Sequence, residues 1–521
     1  MGFISNPHVC SAAVDMYAKC NEIQSAQKVF DEMPERNVVT WNSLISGYLN
    51  ADCPFVAVQL FVSTLREIRY VSSFSVSACL AGCSQLKDGV VGAQVHGLIM
   101  KTGFDCNAFV GTGLVDMYSK CGCVDDSWRV FNSIGDKNVV TWTSMVTAFA
   151  QNEQHDEAMY LVREMMRFGI KANCVTYNSL LSSFSSLECM DCCKQIHCCV
   201  IRSGFESNSY IAVTLVTVYS KCSTNVEDFK KVCAGVTLQD QVSWNAVISG
   251  YSNLGNGVEC IICFCKMRHA GINADLYTFT SMLGAIGAVS ALEEGKEMHA
   301  LIVKSGYATD VHVQNGLVSM YSRCGAINDA KTVFWLTEDR DVVSWNALLT
   351  GCAHHGYGNE VIELFEQMRK TKIKPDNTTF LAVLSACSHV GLVDKGLEYF
   401  NSMRVDASFE PLKVEHYASV VDIFGRAGYL NEAEAIISGM SIDPGPSVYK
   451  ALLSACLVHG NREIAARSAE KLIKLWPNDH ATYILLSNVL RTLGSWDDAA
   501  DVRKLMSEKG VTKKNPGYSW I

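Results

Sequence analysis

The chain has 521 residues, 49% of them hydrophobic and 19% charged, with a formal charge of −9 and a pI near 5.8. Such an apolar share can build a continuous core, while the acidic balance excludes indiscriminate, charge-driven binding of nucleic acid. Its 23 cysteines, spread over so long a chain, are not the framework of a small secreted domain, and no uncharged apolar run reaches membrane-span length.

In chain order, Met1-Gly2-Phe3-Ile4-Ser5-Asn6 offers no basic, serine-rich targeting leader, and Asn6 stands where a myristoylation signal needs Ser or Thr. The opening instead resembles the internal stretches 101–107 and 202–208, so the chain is expected to start at the tail of a repeat whose front is missing. Helical units follow. Val38-Val39-Thr40-Trp41-Asn42 returns as Val139-Val140-Thr141-Trp142-Thr143, as Val242-Ser243-Trp244-Asn245 and as Val342-Val343-Ser344-Trp345-Asn346, with tryptophans 101, 102 and 101 residues apart. A second phrase, Asp15-Met16-Tyr17-Ala18-Lys19-Cys20, keeps the same beat at Tyr118, Tyr219 and Tyr321, and a third runs through His96, His197 and His299. A fixed period of this kind indicates one repeat array.

Within a unit, Trp41, Leu44, Ile45 and Tyr48 fall at i, i+3, i+4 and i+7, the stripe of an amphipathic helix; Trp142 and Trp244 head the same pattern. A turn and a second helix follow, such as 157–166, with Gly169 as its stop. A helix pair cannot bury its stripes alone, so neighbours must stack, and no strand pattern of useful length is present. The expectation is an all-α helical-repeat solenoid of stacked antiparallel helix pairs.

These phrases strongly resemble the plant pentatricopeptide-repeat proteins of the subclass that cycles P-, L- and S-type motifs, and the resemblance covers nearly the whole chain. It implies a right-handed superhelix with S-type units at 7–37, 108–138, 209–240 and 311–341. P-type units fall at 38–72, 139–173, 241–275 and 342–376, and L-type units at 73–107, 174–208 and 276–310. Residues 377–413 and 414–445 resemble variant last L and S motifs, and 446–513 two E-like modules. The tail 514–521, with Pro516-Gly517-Tyr518-Ser519-Trp520-Ile521, resembles the short box that precedes further domains, a deaminase domain among them, in longer relatives.

Position five of each unit lies one residue past the buried aromatic. Taken singly, a polar residue there is an ordinary solvated side chain near a helix start. Its recurrence as Asn, Thr or Ser, paired with Asn, Asp or Ser at the last position, points instead to readout of one unstacked base per repeat. By resemblance the protein's N-terminal end faces the RNA 5′ side. Ser11 with Asn37, Thr112 with Asn138 and Thr143 with Asn173 resemble adenine pairs, and Asn42 with Ser72 a cytosine pair. Asn245 with Asp275, Asn315 with Asp341 and Asn346 with Asp376 resemble uracil pairs. Ser77 with Asn107, Asn178 with Asn208 and Thr280 with Asp310 belong to L-type units, which read weakly in the family. Val213 with Asp240, Leu381 and Ala418 define no base. Val39, Val140, Val242 and Val343 match the base-stacking position, which Phe109, Tyr210, His8 and His312 occupy in S-type units; packing between units is their alternative role.

Two constellations imitate metal chemistry. His155-Asp156-Glu157 with Cys189 and Cys192 mimics a zinc deaminase, but Glu188 replaces the required proline, His155 sits in an inter-helix turn and the necessary sheet is missing. Cys189, Cys192, Cys193, His197, Cys198 and Cys199 mimic a metal cluster, yet sibling units carry Gly92, Gly97, Gly295 or Ala300 at such positions, which reads as core packing. Cys260, Cys263 and Cys265 are likewise expected in the core. No catalytic residue, metal or cofactor is assigned.

The resemblance implies a monomeric, sequence-specific single-stranded RNA-binding protein that selects a cytidine for C-to-U editing in a mitochondrial or, second, a chloroplast transcript. A deaminase of the family's DYW type and accessory editing factors would act in trans. Alternatives are a protein-binding α-solenoid scaffold and a truncated, non-functional relative.

Overall fold

The computed structural model describes residues 7–508 except 69, 224, 237–239, 406–410, 478 and 493, so the opening hexapeptide and the Pro516–Ile521 box lie outside the described residues. Among the described residues there are 30 α-helices, one short 3-10 turn at Leu187–Cys189 and no strand. Contacts divide the chain into an N-terminal part, Met1–Leu254, and a C-terminal part, Gly255–Ile521.

In the N-terminal part the first helices of successive hairpins are Pro7–Lys19, Val38–Asn50, Ser73–Leu86, Ala108–Lys120, Val139–Gln151, Cys174–Ser183, Ser209–Cys222 and Gln241–Asn253. Each packs on the next, forming one row, and the intervening second helices, such as Ile23–Glu32 and His155–Arg167, bridge consecutive members. In the C-terminal part the row is Leu276–Val289, Val311–Arg323, Val342–His354, Asn377–Val390, Val414–Arg426, Pro446–His459 and His480–Thr492.

The apolar stripe explains the stacking. Trp41 is 2% exposed and Leu44 and Ile45 are fully buried; Trp142, Met145, Val146 and Phe149 repeat the arrangement. Trp41 stands edge-on to Phe30 at 4.6 Å, Trp142 to Phe131 at 5.1 Å and Trp345 to Phe334 at 4.9 Å. Their indole N–H groups are buried with no conventional hydrogen-bond partner. The edge-to-face arrangement is the favourable one for paired aromatic rings. Gly169, at φ +77°, ends the second helix His155–Arg167 with Ile170 N–H donating to Met165 C=O at 3.1 Å, the left-handed closure that glycine adopts without strain.

The histidine and tyrosine phrases meet. His96 Nδ1 lies 2.9 Å from the Tyr118 hydroxyl, His197 3.0 Å from Tyr219 and His299 2.9 Å from Tyr321. Each bond ties the second helix of one hairpin to the first helix of the next. Burial lowers the pKa of all three histidines, which favours the neutral ring.

Three sequence expectations need correction. Cys265 and Cys198 are exposed, and Cys192 and Cys199 are half-buried. On Gly257–His269 the buried face runs through Cys260, Cys263, Phe264 and Met267, and Cys265 falls on the opposite side of that helix. His155 does not sit in the turn: it opens the helix His155–Arg167, 3.3 Å from the Ser183 hydroxyl. Among the described residues no three His, Cys, Asp or Glu side chains gather as metal ligands.

Adjacent first helices approach closely where small residues face each other. A Cβ on Gly47 would lie 2.7 Å from that of Ala18, and one on Gly351 2.4 Å from that of Ser322. Gly351→Ala should therefore cost about 1–3 kcal/mol by overpacking. Gly97→Ala, where a Cβ meets nothing within 4 Å, should gain about 0.5–1 kcal/mol from helix propensity. Urea midpoints of the two variants test this; equal shifts would refute the close-approach account.

Candidate nucleic-acid interface

The first helices that follow the proposed reading pairs begin with a capped turn, and the cap is the second member of the pair before each of them. Asn37 accepts from Thr40 N–H at 2.9 Å, Ser72 from Ser75 N–H at 3.1 Å, Asn138 from Thr141 N–H at 3.0 Å and Asn173 from Thr176 N–H at 2.9 Å. In the C-terminal part Asp275, Asp341 and Asp376 accept from Thr278, Ser344 and Thr379 N–H at 2.9, 2.8 and 2.8 Å. These are N-caps of the residue types that favour the role, so half of every proposed reading pair has a structural duty that any helix start would explain.

The fifth-position residues are different. Ser11, Thr143, Asn315 and Asn346 are all under 10% exposed, so the expectation of freely solvated side chains fails for them. They face the cap of the following hairpin because the close stacking of first helices brings the two within reach. Asn37 Nδ2 donates to Ser11 Oγ at 3.4 Å and Asn42 Nδ2 to Ser72 Oγ at 3.2 Å. Asn315 Nδ2 donates to Asp341 Oδ1 at 3.1 Å, and Asn346 Nδ2 lies 3.0 and 3.1 Å from the two Asp376 oxygens. Thr112 and Thr143 reach their partners Asn138 and Asn173 through a third hydroxyl, Thr141 at 3.1 Å and Thr176 at 2.7 Å. Asn245 belongs to the N-terminal part and Asp275 to the C-terminal part, each placed on its own helix as its siblings are.

Burial works against the Asp341 charge, but hydrogen bonds from the Ser344 backbone and hydroxyl and from Asn315 outweigh it and hold its pKa below the ordinary carboxylate value. It therefore acts as an anionic acceptor that orients the Asn315 amide. Three residues upstream of Asn315, Asn346 and their like, the second helical position is open to solvent. Val39, Val140, Val242 and Val343 are 63, 61, 63 and 53% exposed. Phe74, Phe109, Tyr210 and Tyr277 stand at the same position of their own helices as exposed rings, Phe74 and Phe109 lying 5.6 Å apart. So many exposed apolar groups at one repeat position argue against packing as their only role.

In the C-terminal part these positions line a groove of about 1030 Å³ that includes Tyr277, His312, Asn315, Val343, Asn346 and Thr378. Arg323, His354 and His355 also line it, and no aspartate or glutamate does. The carboxylates closest to the reading amides, Asp341 and Asp376, are tied to Asn315 and Asn346 of its wall.

The PPR repeat family profile matches residues 137–186, 239–287 and 340–389, single PPR repeats match 8–38, 39–66, 112–139, 175–205 and 378–406, and an E motif matches 459–521. The chain belongs to the PPR repeat family. Over 520 residues it is 36% identical to the chloroplastic pentatricopeptide repeat-containing protein At1g11290 of Arabidopsis thaliana, covering 100% of this chain and 64% of that relative. It is 34% identical to the Arabidopsis protein At3g25970 over 526 residues, 100% of this chain and 74% of the relative. With At3g02330, a relative named mitochondrial, it shares 33% over 540 residues, 100% and 59% of the two lengths. The maize PPR10 crystal structure matches with a TM-score of 0.62 at 17% identity, over 96% of this chain and 74% of that one. PPR10 in complex with an 18-nt psaJ RNA element matches at 0.60 and 18% identity, over 98% and 80%. The likeness is one of fold, the helical-repeat solenoid. Its E motif and cycling phrases are those of the PLS class.

One contributor was not foreseen from the sequence: the hydroxyl at the third helical position, Thr40, Ser75, Thr141, Thr176, Ser344 and Thr379, which bonds the cap in each case and, except for Ser344, the fifth residue as well. Its signal was the Thr or Ser before the repeated aromatic, with Val76 in the aromatic's place after Ser75. Asp376→Ala should cost about 0.5–2 kcal/mol through the lost cap, while Asp376→Asn, a competent cap, should stay close to the parent. Chemical denaturation of both variants checks this.

Proposed function

We propose that this PPR protein binds single-stranded RNA in a sequence-specific way, one base per hairpin. The observation that carries this reading is the groove in which hydrogen-bonded fifth-position amides stand beside solvent-exposed apolar side chains. The first can address a base edge and the second can stack on its faces, the two contacts by which unstacked bases are read. The RNA-bound PPR10 relative in fold supports it.

With P, L and S units bounded as above, the reading heads Ser11/Asn37, Asn42/Ser72, Thr112/Asn138, Thr143/Asn173, Asn245/Asp275, Asn315/Asp341 and Asn346/Asp376 spell 5′-ACNAANNUNUU-3′. Val39, Val140, Val242 and Val343 flank the bases. The E motif supports a further step, in which the bound chain marks a cytidine for C-to-U editing and a separate DYW-type deaminase is recruited with accessory factors. The chloroplastic and mitochondrial relatives support an organellar site of action, the mitochondrion being our first choice. A monomer suffices for this.

Binding of that oligoribonucleotide and of a scrambled one distinguishes the outcomes: strong preference for the first is expected, and equal weak binding would falsify the reading. Asn346→Thr with Asp376→Asn recreates the Thr143, Asn173 and Thr176 arrangement. It should move the preference at the final base from uracil to adenine by about tenfold or more, the worth of one well-placed base contact.

A further inference from the structure

The reading heads have a third member, and it is missing from one class of hairpin. Six heads lie wholly within one part of the chain and combine a polar fifth residue with a Thr or Ser at the third position of the next helix. In five of them the two side chains are directly bonded. Ser11 and Thr40 hydroxyls are 2.6 Å apart, Thr112 and Thr141 3.1 Å, and Thr143 and Thr176 2.7 Å. The Ser75 hydroxyl donates to Asn42 Oδ1 at 2.6 Å, and Thr379 to Asn346 Oδ1 at 2.6 Å. In the sixth the Ser344 hydroxyl turns to Asp341 at 2.9 Å, and Asn315 Oδ1 is buried with no partner in the chain.

The chemistry follows from what an amide offers. An asparagine side chain presents a carbonyl or an NH2 group depending on its flip, and the two faces select different bases. A carboxylate can only accept, so Asp376 draws the Asn346 NH2 towards itself and the Oδ1 turns to Thr379. The threonine hydroxyl satisfies that inward oxygen, whose burial unpaired would cost free energy in every rotamer.

The heads of 73–107, 174–208 and 276–310 cannot be built this way. The third residue of the next helix is Val110, Ile211 and Val313 respectively, each fully buried and without a hydroxyl. Their fifth residues are accordingly left to other partners: Ser77 Oγ is buried with none, Thr280 donates back to Leu276 C=O at 3.0 Å, and Asn178 accepts from Thr214 at 2.5 Å.

We propose that this third-position hydroxyl is a specificity-determining positioning residue: it fixes the orientation of the fifth-position side chain, and its presence decides which hairpins discriminate bases. The inference rests on the RNA reading above. Thr379 does not touch the base; it acts through Asn346.

The test compares full-length parent, Thr379→Val, Thr379→Ser and Val110→Thr on 5′-ACNAANNUNUU-3′ oligoribonucleotides, varying the final base and, separately, the third base through all four. Thr379→Val should lower the uracil preference at the final base about tenfold, the scale of one lost hydrogen bond to a polar reader, with the cytosine preference at the second base unchanged. Thr379→Ser should restore it, which loss of fold would not. Val110→Thr should create a preference at the third base, where the parent accepts all four. A Thr379→Val protein that keeps the parental ratio, or a Val110→Thr protein that still accepts all four bases, overturns the proposal. A parent with no preference at any base removes the RNA reading as well.

Discussion

The close approach of consecutive first helices is the constraint on which the rest depends. Gly47 against Ala18 and Gly351 against Ser322 leave no room for a larger side chain. At that separation the N-cap of one hairpin falls within hydrogen-bond reach of the fifth residue of the hairpin before it, as in Asn346 with Asp376. Were the helices an ångström or two farther apart, the same residues would be solvated singly and no shared polar head could form.

The cap thereby serves two ends. Asp376 stabilises the start of Asn377–Val390 through Thr379 N–H and, with its remaining acceptor capacity, holds the Asn346 amide. A carboxylate has lone pairs enough for both, which is why Asp can occupy this position without sacrificing the helix. The arrangement is rigid for the same reason: moving the amide would disturb the cap. Tryptophans one residue away, buried against Phe30, Phe131 and Phe334, fix the helix rotation that points the fifth residue towards the next cap. In 209–240, Cys233 stands where the siblings have those phenylalanines and Val213 replaces the polar fifth residue, so packing and polar signatures weaken together.

Much of this was legible in the sequence. The 3.6-residue stripe of Trp41, Leu44, Ile45 and Tyr48 predicted both the helix and its buried face, and Gly169 marked a real helix end. Cys265 departs from the core expectation because position on the helix, opposite the Cys260 and Met267 face, decides burial and cysteine identity does not. His96 and Tyr118 were visible as two separate phrases, but nothing in their spacing of 22 residues announced a bond across two hairpins. The same limit hid the role of Thr379, which looked like the β-branched residue before an aromatic and nothing more.

Period, helix pairing, cap positions and family membership are determined by the sequence alone, because they are local or repeat with a fixed beat. Which side chains share a proton is decided by the tertiary structure. Asn315/Asp341 and Asn346/Asp376 are the same letters in the same places, yet Asn346 Oδ1 has a hydroxyl at 2.6 Å and Asn315 Oδ1 has none. In one head the Ser344 hydroxyl turns to Asp341 and in the other Thr379 reaches the amide oxygen, and hydrogen bonds are decided on a scale of tenths of an ångström while hydrophobic periodicity is not.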